Sequence, residues 1–257
     1  MKIGIFSTPS EASAKAAELV IAEFQAGATN FGVATGSTPD LLYQNLRRAH
    51  QLGTFTLEGK RAFALDEYIG ISKDHPESYR NVLRRALVGD ERTGLREADL
   101  HTPEGTTADP HQAARDYDRS IAAAGGIDLQ ILGIGADGHI GFNEPCGDMH
   151  SRTHIDALTD QTITDNARFF GGDPGAVPTH CITQGLGTIM EARQILLLAF
   201  GANKARAVME MVEGPMSARW PATVLQNHSN VTVLLDEDAA ANLQLRELHQ
   251  KRWEMQQ

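Results

Sequence analysis

The sequence predicts an α/β fold: one doubly wound, mostly parallel, Rossmann-like sheet with helices on both faces. Three observations lead there. Short apolar runs alternate with longer amphipathic segments along the whole chain. Several of the runs are apolar at consecutive positions, as strands buried on both faces are. Small-residue turns follow them, and in sheets of this kind ligands bind outside the carboxyl ends of the strands.

The elements follow in order. Lys2 to Phe6 is a first strand, and Ser10 to Phe24 an Ala-rich amphipathic helix with Ser10 as its cap. Asn30 to Thr35 is a second strand. Gly36-Ser37-Thr38-Pro39-Asp40 then leads into a helix, with Thr38 as N-cap and Pro39 as first helical residue. Such a turn aims backbone N–H groups and two hydroxyls at one point on the positive end of a helix dipole, which suits a phosphate. It lacks the Lys-Ser/Thr ending of a Walker loop, and a plain helix cap explains it equally well. Arg61 to Leu65 is a third strand ending in Asp66-Glu67-Tyr68, and His75-Pro76-Glu77-Ser78-Tyr79 opens a helix through Ala86. A solvated strand end explains the two acids, but their position delivers at least one of them to a site.

Leu87 to Gly105 is turn-rich, Pro110 to Ala124 helical, and Ile127 to Ile134 a buried strand. From Cys146 to His180 the chain is polar, with Gly171-Gly172 and no strong period, and reads as a mobile cover over a site at about 146–180. His150 and His154 within it lack a third ligand at useful spacing and read as a surface pair. Gln194 to Phe200 is the most apolar strand. Gly201-Ala202-Asn203 follows it and places Lys204 on the first turn of a helix that runs to Val212. Val231 to Leu235 is the last strand, and Asp236 to Gln250 a final helix.

No composition shift or linker divides the 257 residues, so a single domain is expected, and no DNA-binding unit precedes the first strand. A net charge of -10 disfavours nucleic acid or an anionic membrane surface as partner. Cys146 and Cys181 lack redox spacing and read as free thiols. With no signal peptide and no spanning run, they point to a reduced, cytoplasmic protein.

Chemistry concentrates in Leu132 to Pro145, where Asp137, His139 and Glu144 fall within eight residues at the end of a strand. A histidine flanked by carboxylates is oriented by them and has its pKa raised, as a general acid/base near neutral pH requires. A hydrogen-bonded histidine in a polar loop is the bland alternative. The stretch also fits G-x-G-x-x-G from Gly133 to Gly138, but Asn143-Glu144-Pro145 breaks any following helix and Asp137 would repel a diphosphate. Thr35 to Thr38, Asp66, Asp137 with His139, and Lys204 all fall at strand ends. A phosphate cradle, a lysine, an acidic base candidate and an Asp/His/Glu cluster, with no metal or cofactor signature, suit a phosphorylated sugar and proton shuttling.

Five stretches carry a resemblance. Ala34-Thr35-Gly36-Ser37-Thr38-Pro39, Leu65-Asp66-Glu67-Tyr68, Asp137 to Pro145, Asn166-Ala167-Arg168-Phe169-Phe170 and Gly201-Ala202-Asn203-Lys204-Ala205 resemble, in order, those of the glucosamine-6-phosphate deaminases. The long motif ending in Phe142-Asn143-Glu144-Pro145 is the most specific. The resemblance implies deamination of glucosamine 6-phosphate to fructose 6-phosphate and ammonia, without metal or organic cofactor. It implies Asp66 as the C2/C1 proton carrier, and His139 as the ring-opening acid/base supported by Asp137 and Glu144. The phosphate would lie on Thr35, Gly36, Ser37, Thr38, Arg168 and Lys204. A sugar phosphate is then the partner, and the chain a monomer or homo-oligomer. Galactosamine 6-phosphate as substrate, 6-phosphogluconolactonase activity and a non-catalytic sugar-phosphate sensor are the alternatives. Family members regulated by N-acetylglucosamine 6-phosphate carry basic residues after the Ser-Arg-Thr seen here at Ser151-Arg152-Thr153. This chain has His154 and Asp156 there, so activation by that effector is not expected.

Overall fold

The computed structural model describes residues 1–255. Ten strands and eight α-helices follow one another: β1 (Lys2–Phe6), α1 (Pro9–Gln25), β2 (Asn30–Val33), α2 (Ser37–Gln51), β3 (Arg61–Ala64), β4 (Asp66–Tyr68), α3 (Tyr79–Leu87), β5 (Leu100–His101) and α4 (Pro110–Ala123) make the first half. The second half holds β6 (Leu129–Leu132), β7 (His154–Ala157), α5 (Asp160–Asn166), β8 (His180–Thr183), α6 (Leu186–Met190), β9 (Gln194–Ala199), α7 (Ala205–Glu213), β10 (Val231–Asp236) and α8 (Arg246–Glu254).

Seven strands form one sheet in the order β1-β10-β9-β6-β2-β3-β5. Every pairing in it is parallel, with helices packed around it, as the apolar runs predict. Its central strands are buried along their length: β10 has no exposed residue, and Ile195 to Ala199 of β9 are buried. At about 1.5–3 kcal/mol for each large apolar side chain removed from water, these strands anchor the core. The chain leaves β2 outward through β3 and β5, then returns as β6 on the other side of β2. That reversal opens a crevice between the carboxyl ends of β2 and β6, the expected place for a ligand.

The small sheet β4-β8-β7 is antiparallel and was not expected. Asp66 to Tyr68 is not the tail of the third strand but a separate strand, pairing Asp66 with Thr183. The segment read as irregular from 146 to 180 contains β7 and α5. Other boundaries move for identifiable reasons. Thr8, not Ser10, caps α1, its hydroxyl accepting from Glu11 N at 3.2 Å ahead of Pro9. Helix α2 begins at Ser37, one residue before the expected cap Thr38, because Gly36 turns the chain at φ 101°. Helix α3 starts at Tyr79 behind its cap Ser78. Asp236 ends β10 rather than opening a helix, and the last helix starts ten residues later at Arg246.

Candidate active site

One cavity of about 370 Å³ opens over the crevice, within the range of small-ligand sites. Thr35, Gly36, Ser37, Thr38, Asp66, His139, Arg168 and Lys204 all line it, so residues from five separate stretches meet as the strand ends predict. Asp137 and Glu144 do not line the cavity. They stand behind His139.

The histidine loop is held by its own backbone. Gly135 N donates to His139 O at 2.9 Å, and Ala222 N donates to Gly138 O at 2.9 Å. Gly138 sits at φ 89°, and a Cβ there would come 2.7 Å from the Trp220 ring, so only glycine fits. No helix follows, which confirms the accidental nature of the dinucleotide-like pattern. Asn143 Nδ2 closes the loop on Ile140 O and Gln184 O at 2.8 and 2.9 Å.

Both carboxylates approach the same ring atom. His139 Nδ1 lies 2.8 Å from Asp137 Oδ1 and 3.6 Å from Glu144 Oε2. The short contact departs from the ideal hydrogen-bond line. Burial alone would push the imidazole down, but Asp137 and Glu144 outweigh it and raise His139 to about 9. Burial likewise opposes ionisation of Asp137, and His139 overrides it to hold that carboxyl well below the usual range. The far oxygen of Glu144 accepts from Thr162 Oγ1 at 2.6 Å and from Thr159 N at 3.3 Å, which ties the histidine cluster to α5. One ligand atom from each of Asp137, His139 and Glu144 falls within 4.8 Å of the others, close enough for a cation. Because the carboxylates share one ring nitrogen, a metal there would have to replace the proton they orient.

Asp66 is 6 % exposed, at the start of β4. Burial first and the neighbouring Glu67 second push its carboxyl up to about 8, against the pull of His139. Such an acid sits near the protonation balance that proton transfer needs.

The cavity is also lined by two cations, Arg168 and Lys204. Arg168 reaches Ser37 Oγ at 3.4 Å and lies over the Phe169 ring at 4.7 Å. Lys204 ends a tight turn that begins at Gly201, whose N–H is held by both oxygens of Asp236 at 3.0 Å. Burial lowers the Lys204 amine and Arg168 adds to this, while Asp165 and Asp137 pull the other way. Sequence reasoning did not single out Asp236, Tyr79 or Asn166. Tyr79 and Asn166 both donate to the Tyr68 hydroxyl at 2.9 Å on the cavity wall. The apolar approach to β10 and the aromatic at the helix start were visible; which atoms they would meet was not. Cys146 is exposed and Cys181 buried, both free. No helix among the described residues is long and apolar enough to cross a membrane.

Residues 7–234 match the family described as glucosamine-6-phosphate isomerases and 6-phosphogluconolactonases. The glucosamine-6-phosphate deaminase of Corynebacterium aurimucosum is 49% identical over 249 residues, covering 97% of this chain and 96% of that protein. The deaminase of Mycolicibacterium smegmatis is 54% identical over 214 residues, covering 83% and 81%. Among solved structures, a monomeric glucosamine-6-phosphate deaminase superposes with a TM-score of 0.91 at 37% identity, covering 94% of this chain and all (100%) of that one. A 6-phosphogluconolactonase from Trypanosoma cruzi shares the fold, with a TM-score of 0.77 at 22% identity over 95% and 97% of the two chains.

Proposed function

The chain belongs to the family of glucosamine-6-phosphate isomerases and 6-phosphogluconolactonases, and on that premise we propose that it is a glucosamine-6-phosphate deaminase. It converts glucosamine 6-phosphate and water to fructose 6-phosphate and ammonia, a step of amino-sugar catabolism. The observation that carries this reading is the pairing in one cavity of a buried carboxyl, Asp66, with a carboxylate-backed imidazole, His139, alongside Arg168 and Lys204.

The roles follow from position. The phosphate sits against the N–H groups and hydroxyls from Gly36 to Thr38 and the side chains of Arg168 and Lys204, with Thr35 beside them. His139 moves a proton from the anomeric hydroxyl to the ring oxygen, and Asp137 and Glu144 stabilise the imidazolium. Asp66 then takes the proton from C2 and returns it to C1. The electron pair left at C2 forms the C1=C2 double bond as the C1 oxygen takes up a proton, and once the ammonium has given up a proton the resulting enolamine is protonated at C1, leaving an imine at C2. Water adds to that carbon and ammonia leaves. The substrate's own ammonium, next to C2, favours the ionised form of Asp66. No step calls for a metal or organic cofactor. The segment 146–180 acts as the cover, since Glu144 is tied to Thr159 and Thr162 and Asn166 to Tyr68. One domain carries the whole reaction, and every residue assigned to it comes from one chain. Two free thiols fit a cytoplasmic setting.

Ammonia release from glucosamine 6-phosphate, measured beside galactosamine 6-phosphate and 6-phosphogluconolactone, tests the assignment. Turnover of the first in clear preference to the others is expected. Lactone hydrolysis without ammonia release would replace the reading by the family's other activity.

A further inference from the structure

Glu67 is 5 % exposed, lies next to the proton carrier and does not line the cavity. Its carboxylate is saturated with backbone donors: Oε1 accepts from Tyr68 N and Tyr79 N, and Oε2 from Arg80 N, each at 2.9 Å. Tyr79 and Arg80 are the first two residues of α3, so Glu67 caps that helix from another element. Gly105 lies beside the stem, where a Cβ would come 3.3 Å from Glu67 Cγ. Burial pushes the Glu67 carboxyl up, and the three N–H donors and the Arg80 guanidinium pull back toward the ionised form. Arg80 is already shared with Leu100 O at 3.0 Å and Glu97 at 2.6 Å.

We propose that Glu67 is a positioning residue for the isomerisation: it fastens α3 to the strand that carries Asp66, and its hydrogen-bonded carboxylate is the negative neighbour of the Asp66 carboxyl. Through α3 it also places Tyr79, whose hydroxyl meets Tyr68 on the cavity wall. The other groups that face Asp66 are His139 from the loop after β6, Tyr68 from its own strand, Tyr79 from α3, Tyr117 from α4 and Cys181 from β8. Of these only His139 carries charge near neutral pH, and it opposes Glu67. The proton carrier is therefore set between one cation and one anion, and removing the anion makes it a weaker base.

The inference rests on Asp66 being the proton carrier, and the test separates the two. The pH dependence of kcat/KM for glucosamine 6-phosphate is compared in the parent, Glu67→Gln, Glu67→Asp and Asp66→Asn; the substrate's own titration is common to all and cancels. Glu67→Gln should move the acidic limb by about one pH unit toward acid and lower kcat by about tenfold. Glu67→Asp keeps the charge and should slow turnover while leaving the limb in place. If Glu67→Gln does not fold, Arg80→Gln removes the cation that helps hold Glu67 ionised and should move the limb the same way, toward acid, by a smaller amount. A limb unmoved in the folded Glu67→Gln protein, or in Arg80→Gln where that is the variant used, overturns the role of Glu67. Undiminished activity in Asp66→Asn would instead overturn the reading it rests on.

Discussion

The two walls of the cavity are built on opposite principles. The cationic wall uses a glycine turn, the start of a helix and two long side chains; Arg168 is exposed and Lys204 half-buried. The acid wall uses short groups sunk in the protein: Asp66 is buried, and His139 is backed by Asp137 and Glu144 from behind the cavity. The first kind of wall binds charge that is permanent, so its groups need only be present. On the proposed mechanism the second handles a proton that comes and goes, so Asp66 is held near its point of titration. Substitutions on the acid wall should therefore act on turnover, and substitutions on the cationic wall on affinity.

The largest effect expected is that of Asp66→Asn, which keeps shape and removes the base. Turnover should fall by ~10²-fold or more with KM little changed, as read in a steady-state ammonia assay. Ring opening, followed by the appearance of the free aldehyde, should persist because His139 is untouched. A fall in affinity instead would erase the distinction between the walls.

Next in size is Lys204→Ala, which removes one charge-assisted contact worth roughly 1.5–3 kcal/mol. Affinity for substrate and for inorganic phosphate should drop together by about tenfold or more, with kcat less affected. Equal binding by the parent and the variant would take Lys204 out of the cradle.

The acid wall should also cost stability in a way the cationic wall does not. Asp66 has a folded pKa raised to about 8 from an ordinary 3.8, so its contribution is fully present below the lower value and is lost as pH rises through the higher one. His139, raised to about 9 from 6.5, loses its contribution at still higher pH. Asp66→Asn should thus leave the melting temperature nearly unchanged near pH 4 and raise it near pH 8–9. The rise is about 2–4 °C for each kcal/mol released. A Tm difference independent of pH would mean that Asp66 is not strained by ionisation.

The smallest effect expected is none: N-acetylglucosamine 6-phosphate should leave the rate curves unchanged. Arg152 is the cation that an effector phosphate would need, and it is already spent on Asp118 at 2.7 Å and Glu191 at 2.5 Å. His154 lies 3.7 Å from the carboxylate of Asp156. Sigmoidal kinetics that the effector turns hyperbolic would refute this.

Much of the fold was legible because its signals are long. Runs such as Gln194 to Ala199 announce buried strands, and Asp137, His139 and Glu144 share one loop, so their meeting needed no tertiary knowledge. What escaped is short or distant. Strand β5 has two residues and β4 three, too few for any period. Asp236 looked like a helix start because nothing local says that its oxygens are taken by the N–H of Gly201, 35 positions earlier. The capping of α3 by Glu67 is of the same kind: an acid beside an acid gives no hint that it is aimed at a helix 12 residues on.

The small sheet divides the polar segment it was not expected to interrupt. Strand β7 is paired with β8, which is also the partner of the strand carrying Asp66. Leu158 N still donates to Thr179 O at 2.9 Å, so if the segment opens as proposed it bends beyond that pair and does not swing the whole of 146–180. Between those points lie Gly171 and Gly172, at φ 67° and 84°, in an exposed turn that belongs to neither sheet. New chain termini introduced there by circular permutation would leave every strand pairing intact, whereas a cut within β8 would sever the strand that pairs with the one carrying Asp66.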